Sequence, residues 1–210
     1  MREKIDPALL TRACRTLRRR DPKLGAVIEQ AGACGMRPSG DPYRALLQSI
    51  IGQQLAGAAA RAISGRVKTH YGGRYPVPAR LLATRDADLR ALGLSRQKAA
   101  ALKAVAGAFD DGSLSNRRLQ RMEAADVVAA VTRIKGIGEW TAHMLLMFSL
   151  GHPDVLPVGD YGVRKGAMSL YGLAELPKPK QLETVAECWR PYRSVGAWYM
   201  WRHLENPPAV

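Results

Sequence analysis

The sequence is poor in cysteine and in acid. Its three cysteines, Cys14, Cys34 and Cys188, lie far apart and form no Cys-x-x-Cys pair. That excludes a disulfide framework and a four-cysteine iron–sulfur cluster, and it fits a reducing compartment. The four histidines add no metal-ligand spacing, so the sequence supports no metal site. No apolar run approaches the roughly 18 residues that a membrane span requires; the longest candidate is Met144 to Leu150. The Arg-rich beginning carries Glu3 and Asp6 with no apolar stretch after them, so it does not read as a secretion signal. Low-complexity linkers are missing and period-two alternation is scarce. Against 18 Asp and Glu stand 32 Lys and Arg, a formal net charge of +14. Such an excess favours a polyanionic partner, nucleic acid before an anionic membrane surface. Hydrophobic residues make up 47% of the 210, enough to bury a core.

The pattern is helical nearly throughout. It predicts helices over 7–20, 23–32, 42–52, 56–71, 78–83, 86–91, 95–110, 123–133, 139–150, 160–171, 179–188 and 191–205, with no proline inside them. Pro7, Pro42, Pro78, Pro179 and Pro191 fall at expected first-turn positions, where a missing N–H costs nothing. The breaks carry turn residues, among them Pro38-Ser39-Gly40, Gly72-Gly73, Gly112, Gly136 and Gly151 to Pro153. Val155-Leu156 is the only strand-like piece. The expectation is one compact all-helical body, with two lobes an open alternative. There is also an internal echo: Leu89-Arg-Ala-Leu-Gly-Leu-Ser-Arg-Gln-Lys-Ala resembles Val131-Thr-Arg-Ile-Lys-Gly-Ile-Gly-Glu-Trp-Thr-Ala, each running helix, glycine turn, helix.

The strongest local signal is Ile134-Lys-Gly-Ile-Gly-Glu-Trp-Thr-Ala. Gly136 and Gly138 allow positive φ and a close approach of the backbone to a ligand. The helix that follows points its unpaired N–H groups and its dipole out of the turn, which suits a DNA phosphate. Ile134 and Ile137 would anchor the turn to the core. An ordinary αα-hairpin with a glycine C-cap would also carry Gly-x-Gly. The whole string, apolar-x-Gly-apolar-Gly-x-x-Thr-Ala, has the form of the helix-hairpin-helix DNA-binding motif.

Around it stand Leu46-Leu-Gln-Ser-Ile-Ile-Gly-Gln-Gln-Leu, Val155-Leu-Pro-Val-Gly-Asp-Tyr-Gly-Val-Arg-Lys, and a tail, Trp189-Arg-Pro-Tyr-Arg-Ser-Val-Gly-Ala-Trp-Tyr-Met-Trp. In this order and spacing, over roughly residues 41–205, the chain resembles the helix-hairpin-helix superfamily of DNA glycosylases, and within it the 3-methyladenine DNA glycosylase II group. The resemblance implies an all-α, bilobal fold with the active-site cleft between the lobes. It also implies a single unit over 1–210: a middle helical lobe of about 42–150, and a second lobe made by the N- and C-terminal helices. No N-terminal β-rich domain, which some larger members carry, is expected.

The resemblance also assigns residues. Asp160 becomes the catalytic carboxylate, which a sugar cation calls for; read locally, it is equally a helix N-cap. Strand-cutting relatives carry a Schiff-base lysine where this chain has Trp140, so a monofunctional enzyme without lyase activity is implied. Gln54 is the intercalating side chain and Gln53 helps shape its loop, although the pair could simply join two helices. Trp201 is the stacking face for a cationic base, with Trp140, Met144 and Tyr161 at other substrate-binding positions. Met144 stands where members often have an aromatic ring, which bears on the lesion range. Gly136, Gly138 and Thr141 would take the DNA phosphate. No cofactor is required, and a monovalent cation at the hairpin is compatible with the family. The implied protein is an intracellular monomer, cytoplasmic or nuclear, acting on damaged double-stranded DNA in base excision repair. It would hydrolyse the N-glycosidic bond of alkylated purines such as 3-methyladenine and 7-methylguanine after base flipping. The alternatives are a non-catalytic DNA-binding module, which gives Asp160 and Trp201 no role, and a same-fold glycosylase for another lesion.

Overall fold

The computed structural model describes residues 3–55 and 57–205, and among them every regular element is helical. The chain divides into two compact units. One joins Met1–Pro38 to Leu146–Val210, and the other is the continuous stretch Ser39–Leu145. No described helix is long and apolar enough to cross a membrane.

The first unit holds α1 (Pro7–Arg20) and α2 (Pro22–Ala31). The second holds α3 (Pro42–Gly52), α4 (Gly57–His70), α5 (Pro78–Ala83), α6 (Asp86–Ala91), α7 (Arg96–Asp110), α8 (Asn116–Arg121) and α9 (Ala124–Thr132). It ends within α10 (Glu139–Phe148). The first unit resumes with α11 (Tyr161–Tyr171), α12 (Pro179–Val185) and α13 (Arg193–Glu205).

Three of these helices start by one device. Asp6, Asp21 and Asp41 each precede a proline and each accept a main-chain N–H from the first turn, from Leu9, Leu24 and Arg44 at 2.7, 3.1 and 3.1 Å. The carboxylate satisfies an N–H that has no helical partner, and the proline removes another. Pro22 is such a first residue, so α2 begins one residue before the predicted 23.

Elsewhere the boundaries shift for local reasons. The predicted start at residue 56 lies outside the described residues. The helix expected over 139–150 ends at Phe148, because the N–H of His152 turns back to the carbonyl of Leu146 at 2.9 Å. The helix expected over 179–188 tightens into a 3₁₀ turn over Ala186–Trp189. Pro191 does not open the last helix: the N–H of Tyr192 bonds the carbonyl of Trp189 at 2.7 Å, and α13 starts at Arg193. Helix α8 was not anticipated, since its single buried residue, Leu119, gives no periodicity. Val155-Leu156 is buried but forms no strand; the N–H of Val155 donates to Ser194 Oγ at 2.9 Å.

In the first unit, α11 and α13 touch backbone to backbone. A Cβ on Gly166 would sit 2.6 Å from the carbonyl oxygen of Met200, so only glycine permits this approach. Asp21 ties the N-terminal helices to the C-terminal segment. Besides capping α2, it accepts from Trp189 Nε1 at 3.0 Å and from the Tyr171 hydroxyl. In the second unit the core gathers around α3, whose Leu46, Leu47, Ile50 and Ile51 are at most 1% exposed.

Candidate functional site

The hairpin lies in the second unit. Gly136 has φ +92°, and a Cβ there would come within 2.7 Å of Ala101, so the turn needs glycine twice over. Ile137 is buried and Ile134 half-buried, which fixes the turn to the core. Gly136 and Gly138 are both exposed, and α10 begins at Glu139. Gly138, just before the helix, has no side chain with which to cap it.

The internal echo supplies a contrast. In the turn before α7, Gly93 has φ +95° and Leu94 is buried, matching Gly136 and Ile137. There, however, Ser95 Oγ accepts the N–H of Lys98 at 3.1 Å. The first turn caps its own helix with a side chain, whereas the matching position of the hairpin, Gly138, has none to offer.

Gln53 and Gln54, at the end of α3, part company. The Gln53 amide nitrogen donates to Gly136 O at 3.3 Å and to the buried Thr141 Oγ1 at 3.1 Å. Gln54 is exposed, with φ +56°, the one non-glycine residue at positive φ among those described. Lys98 Nζ, from α7, donates to the carbonyl of Ile51 at 2.8 Å. On α10, Trp140 is 37% exposed and Met144 half-buried. Burial holds the His143 imidazole below its ordinary range, partly offset by the nearby Glu139.

The carboxylate lies in the first unit. Asp160 is 9% exposed and stands immediately before α11. Its Oδ1 accepts the N–H of Val163 at 2.8 Å and Trp201 Nε1–H at 2.9 Å. The N-cap role is therefore real, and it coexists with a second, tertiary donor. Trp201 also lies against Phe148, ring centroids 5.8 Å apart. Tyr161 is 64% exposed, its ring 5.9 Å from the Lys165 ammonium.

Two residues of this arrangement were missed in the sequence. A Cβ on Gly162 would meet Trp201 at 2.7 and 2.9 Å and Asp160 Oδ1 at 3.2 Å, so Gly162 is what lets the indole reach the carboxylate. A glycine in the first turn of a helix, where almost any residue is a better helix former, was the available signal. Phe148, the other, carried none beyond being apolar.

Among the described residues no three His, Cys, Asp or Glu side chains gather as a metal site. A cation at the hairpin would need main-chain carbonyl oxygens. Of these, Gly136 O already accepts from Gln53, and Ile134 O accepts the N–H of Ile137 at 3.0 Å.

Comparison with known proteins gives a concordant set. The HhH-GPD superfamily base excision DNA repair protein pattern matches residues 47–191. DNA-3-methyladenine glycosylase 1 of Schizosaccharomyces pombe is 35% identical over 167 residues, covering 77% of this chain and 72% of that protein. The structure of the Schizosaccharomyces pombe 3-methyladenine DNA glycosylase Mag1 in complex with abasic DNA is similar at TM-score 0.87 and 30% identity, over 95% of this chain and 99% of that one. A Bacillus halodurans DNA-3-methyladenine glycosidase is similar at TM-score 0.77 and 38% identity, over 91% and 88%.

Proposed function

This chain belongs to the HhH-GPD superfamily of base excision DNA repair proteins, and on that premise we propose that it hydrolyses the N-glycosidic bond of alkylated purines in DNA. Its relatives named above are 3-methyladenine glycosylases, and that activity is carried over here. The observation that carries the chemistry is Asp160, a buried carboxylate whose Oδ1 is fixed by two donors.

Departure of the base leaves positive charge on the deoxyribose. A carboxylate set beforehand in a fixed plane stabilises that charge without reorganising as it forms, and it can orient the attacking water. The Val163 N–H sets Asp160 locally, and Trp201 sets it from α13. We assign Trp201 two tasks: donor to the carboxylate, and aromatic face for a flipped, cationic base. Trp140, Met144 and Tyr161 are assigned to the substrate by resemblance alone.

The hairpin binds a backbone phosphate through Gly136, Gly138 and the start of α10, and Gln54 enters the duplex where the base has left. Trp140 offers no amine, so the product is an abasic site on an intact strand. No step needs a cofactor; a monovalent cation held by hairpin carbonyls would be structural. The protein acts as a monomer on double-stranded DNA inside the cell.

The test is base release from dimethyl-sulfate-treated DNA, products separated by chromatography. Wild type releases methylated purines; Asp160→Asn binds abasic DNA but releases none. Efficient uracil excision with nothing released from methylated DNA, or undiminished release by Asp160→Asn, overturns the reading.

A further inference from the structure

Resting on that reading, we propose that Gln53 is a positioning residue that joins the phosphate-binding hairpin to the wedge loop, rather than a second wedge. Gly136 O can only accept a hydrogen bond, so the Gln53 group facing it is the amide nitrogen by chemical necessity. That nitrogen has two hydrogens, and both are committed, one to Gly136 O and one to Thr141 Oγ1. A side chain held at both hydrogens by the hairpin is poorly placed to leave it for a base stack.

The other side of the loop is held as well. Lys98 Nζ takes the carbonyl of Ile51, in the last turn of α3, where carbonyls have no helical partner. Between the two anchors and the open loop stands Gln54 at φ +56°, a conformation that costs a non-glycine residue and persists only where its surroundings impose it. Lys98 and Gln53 are the surroundings that impose it. Gln54 itself has no side-chain hydrogen bond among the described residues, and it is exposed.

The consequence concerns register. A phosphate bound at Gly136 to Thr141 and a side chain inserted at Gln54 are linked through one amide. The base step that the wedge enters is thereby set by the phosphate that the hairpin holds. This coupling matters when a paired base must be expelled, and matters little when the lesion is already unpaired.

The experiment is single-turnover release of 7-methylguanine from two duplexes, one with the lesion opposite cytosine and one with it opposite an abasic site. Gln53→Glu keeps the shape but cannot donate to Gly136 O; Gln53→Lys restores donors on a chain of similar reach. On the paired lesion, Gln53→Glu should lose about 5- to 150-fold, the range expected for two hydrogen bonds. On the unpaired lesion the loss should stay below about threefold, and Gln53→Lys should recover part of the paired-lesion rate. Equal loss on both duplexes, or no loss on either, overturns the proposal. Release of no alkylated base by wild type defeats the glycosylase reading instead. Thermal melts matching wild type exclude misfolding as the cause of any loss.

Discussion

Replacing Gly162 with alanine sets two effects against each other. In a helix, Ala is favoured over Gly by roughly 0.8–1 kcal/mol. Here the added methyl would lie 2.7 Å from Trp201 Cδ1 and 2.9 Å from its Nε1, well inside contact distance. Forcing a methyl into a filled space costs about 1–3 kcal/mol. The net destabilisation is therefore small, roughly 0–2 kcal/mol, and at about 2–4 °C per kcal/mol for a chain of this size the melting temperature falls by at most about 8 °C. Catalysis should respond far more. The indole can escape the methyl only by moving off Asp160 Oδ1, where it now donates at 2.9 Å. A hydrogen bond to a charged group is worth about 1.5–3 kcal/mol, and at 1.36 kcal/mol per factor of ten its loss from the transition state slows kcat by about 10- to 150-fold. The assay is single-turnover base release from methylated DNA beside a thermal melt of the same preparation. A Gly162→Ala protein with kcat within about twofold of wild type would refute the claim that Trp201 sets the carboxylate, since the hydrogen bond is reckoned at tenfold or more.

Other consequences are as direct. Sodium borohydride should trap no covalent complex with wild-type protein, and its product strand should break only on alkali treatment, because Trp140 provides no amine. Asp21→Asn has one acceptor oxygen where Asp21 uses two, so with that oxygen capping α2 an NH2 group faces the N–H of Trp189 Nε1 and the Tyr171 hydroxyl; urea unfolding should show a loss of about 1.5–3 kcal/mol, and an unchanged midpoint would refute the role given to Asp21. Burial holds the His203 imidazole below its ordinary range. The unfolded chain therefore binds the proton first, and folding stability falls as pH drops through the unfolded value near 6.5. Chemical unfolding at pH 7 and pH 5 should show this decline, and His203→Gln should lessen it.

The sequence revealed most where one residue type admits one explanation. Asp-Pro pairs give helix starts at Asp6, Asp21 and Asp41 because cap and first turn are adjacent in the chain. The hairpin was legible because its backbone demands Gly136. Read locally, Asp160 was legible only as a cap, and its other role came from the resemblance. Its bond to Trp201 spans 41 residues, and no local pattern encodes a contact made by packing α11 on α13. Gln53 and Gln54 are chemically identical neighbours, so what separates them locally appears only in the structure, where Gln53 is bonded to the hairpin at φ −50° and Gln54 is exposed at φ +56°. Helix α8 escaped notice because it buries one residue; the Ser115 cap was its only mark.

The division of the chain also bears on how the protein is made. The stretch Ser39–Leu145 is continuous, so its core is complete in sequence as soon as it has been synthesised. The unit that carries Asp160 is not: α1 and α2 emerge early, while α13, against which they must settle, emerges last. At about 5–20 residues per second, the roughly 60 residues from 146 to 205 delay that closure by some 3–12 s. For that interval the unit that holds the hairpin is whole in sequence while the unit that carries Asp160 still lacks the helix that brings Trp201 to it.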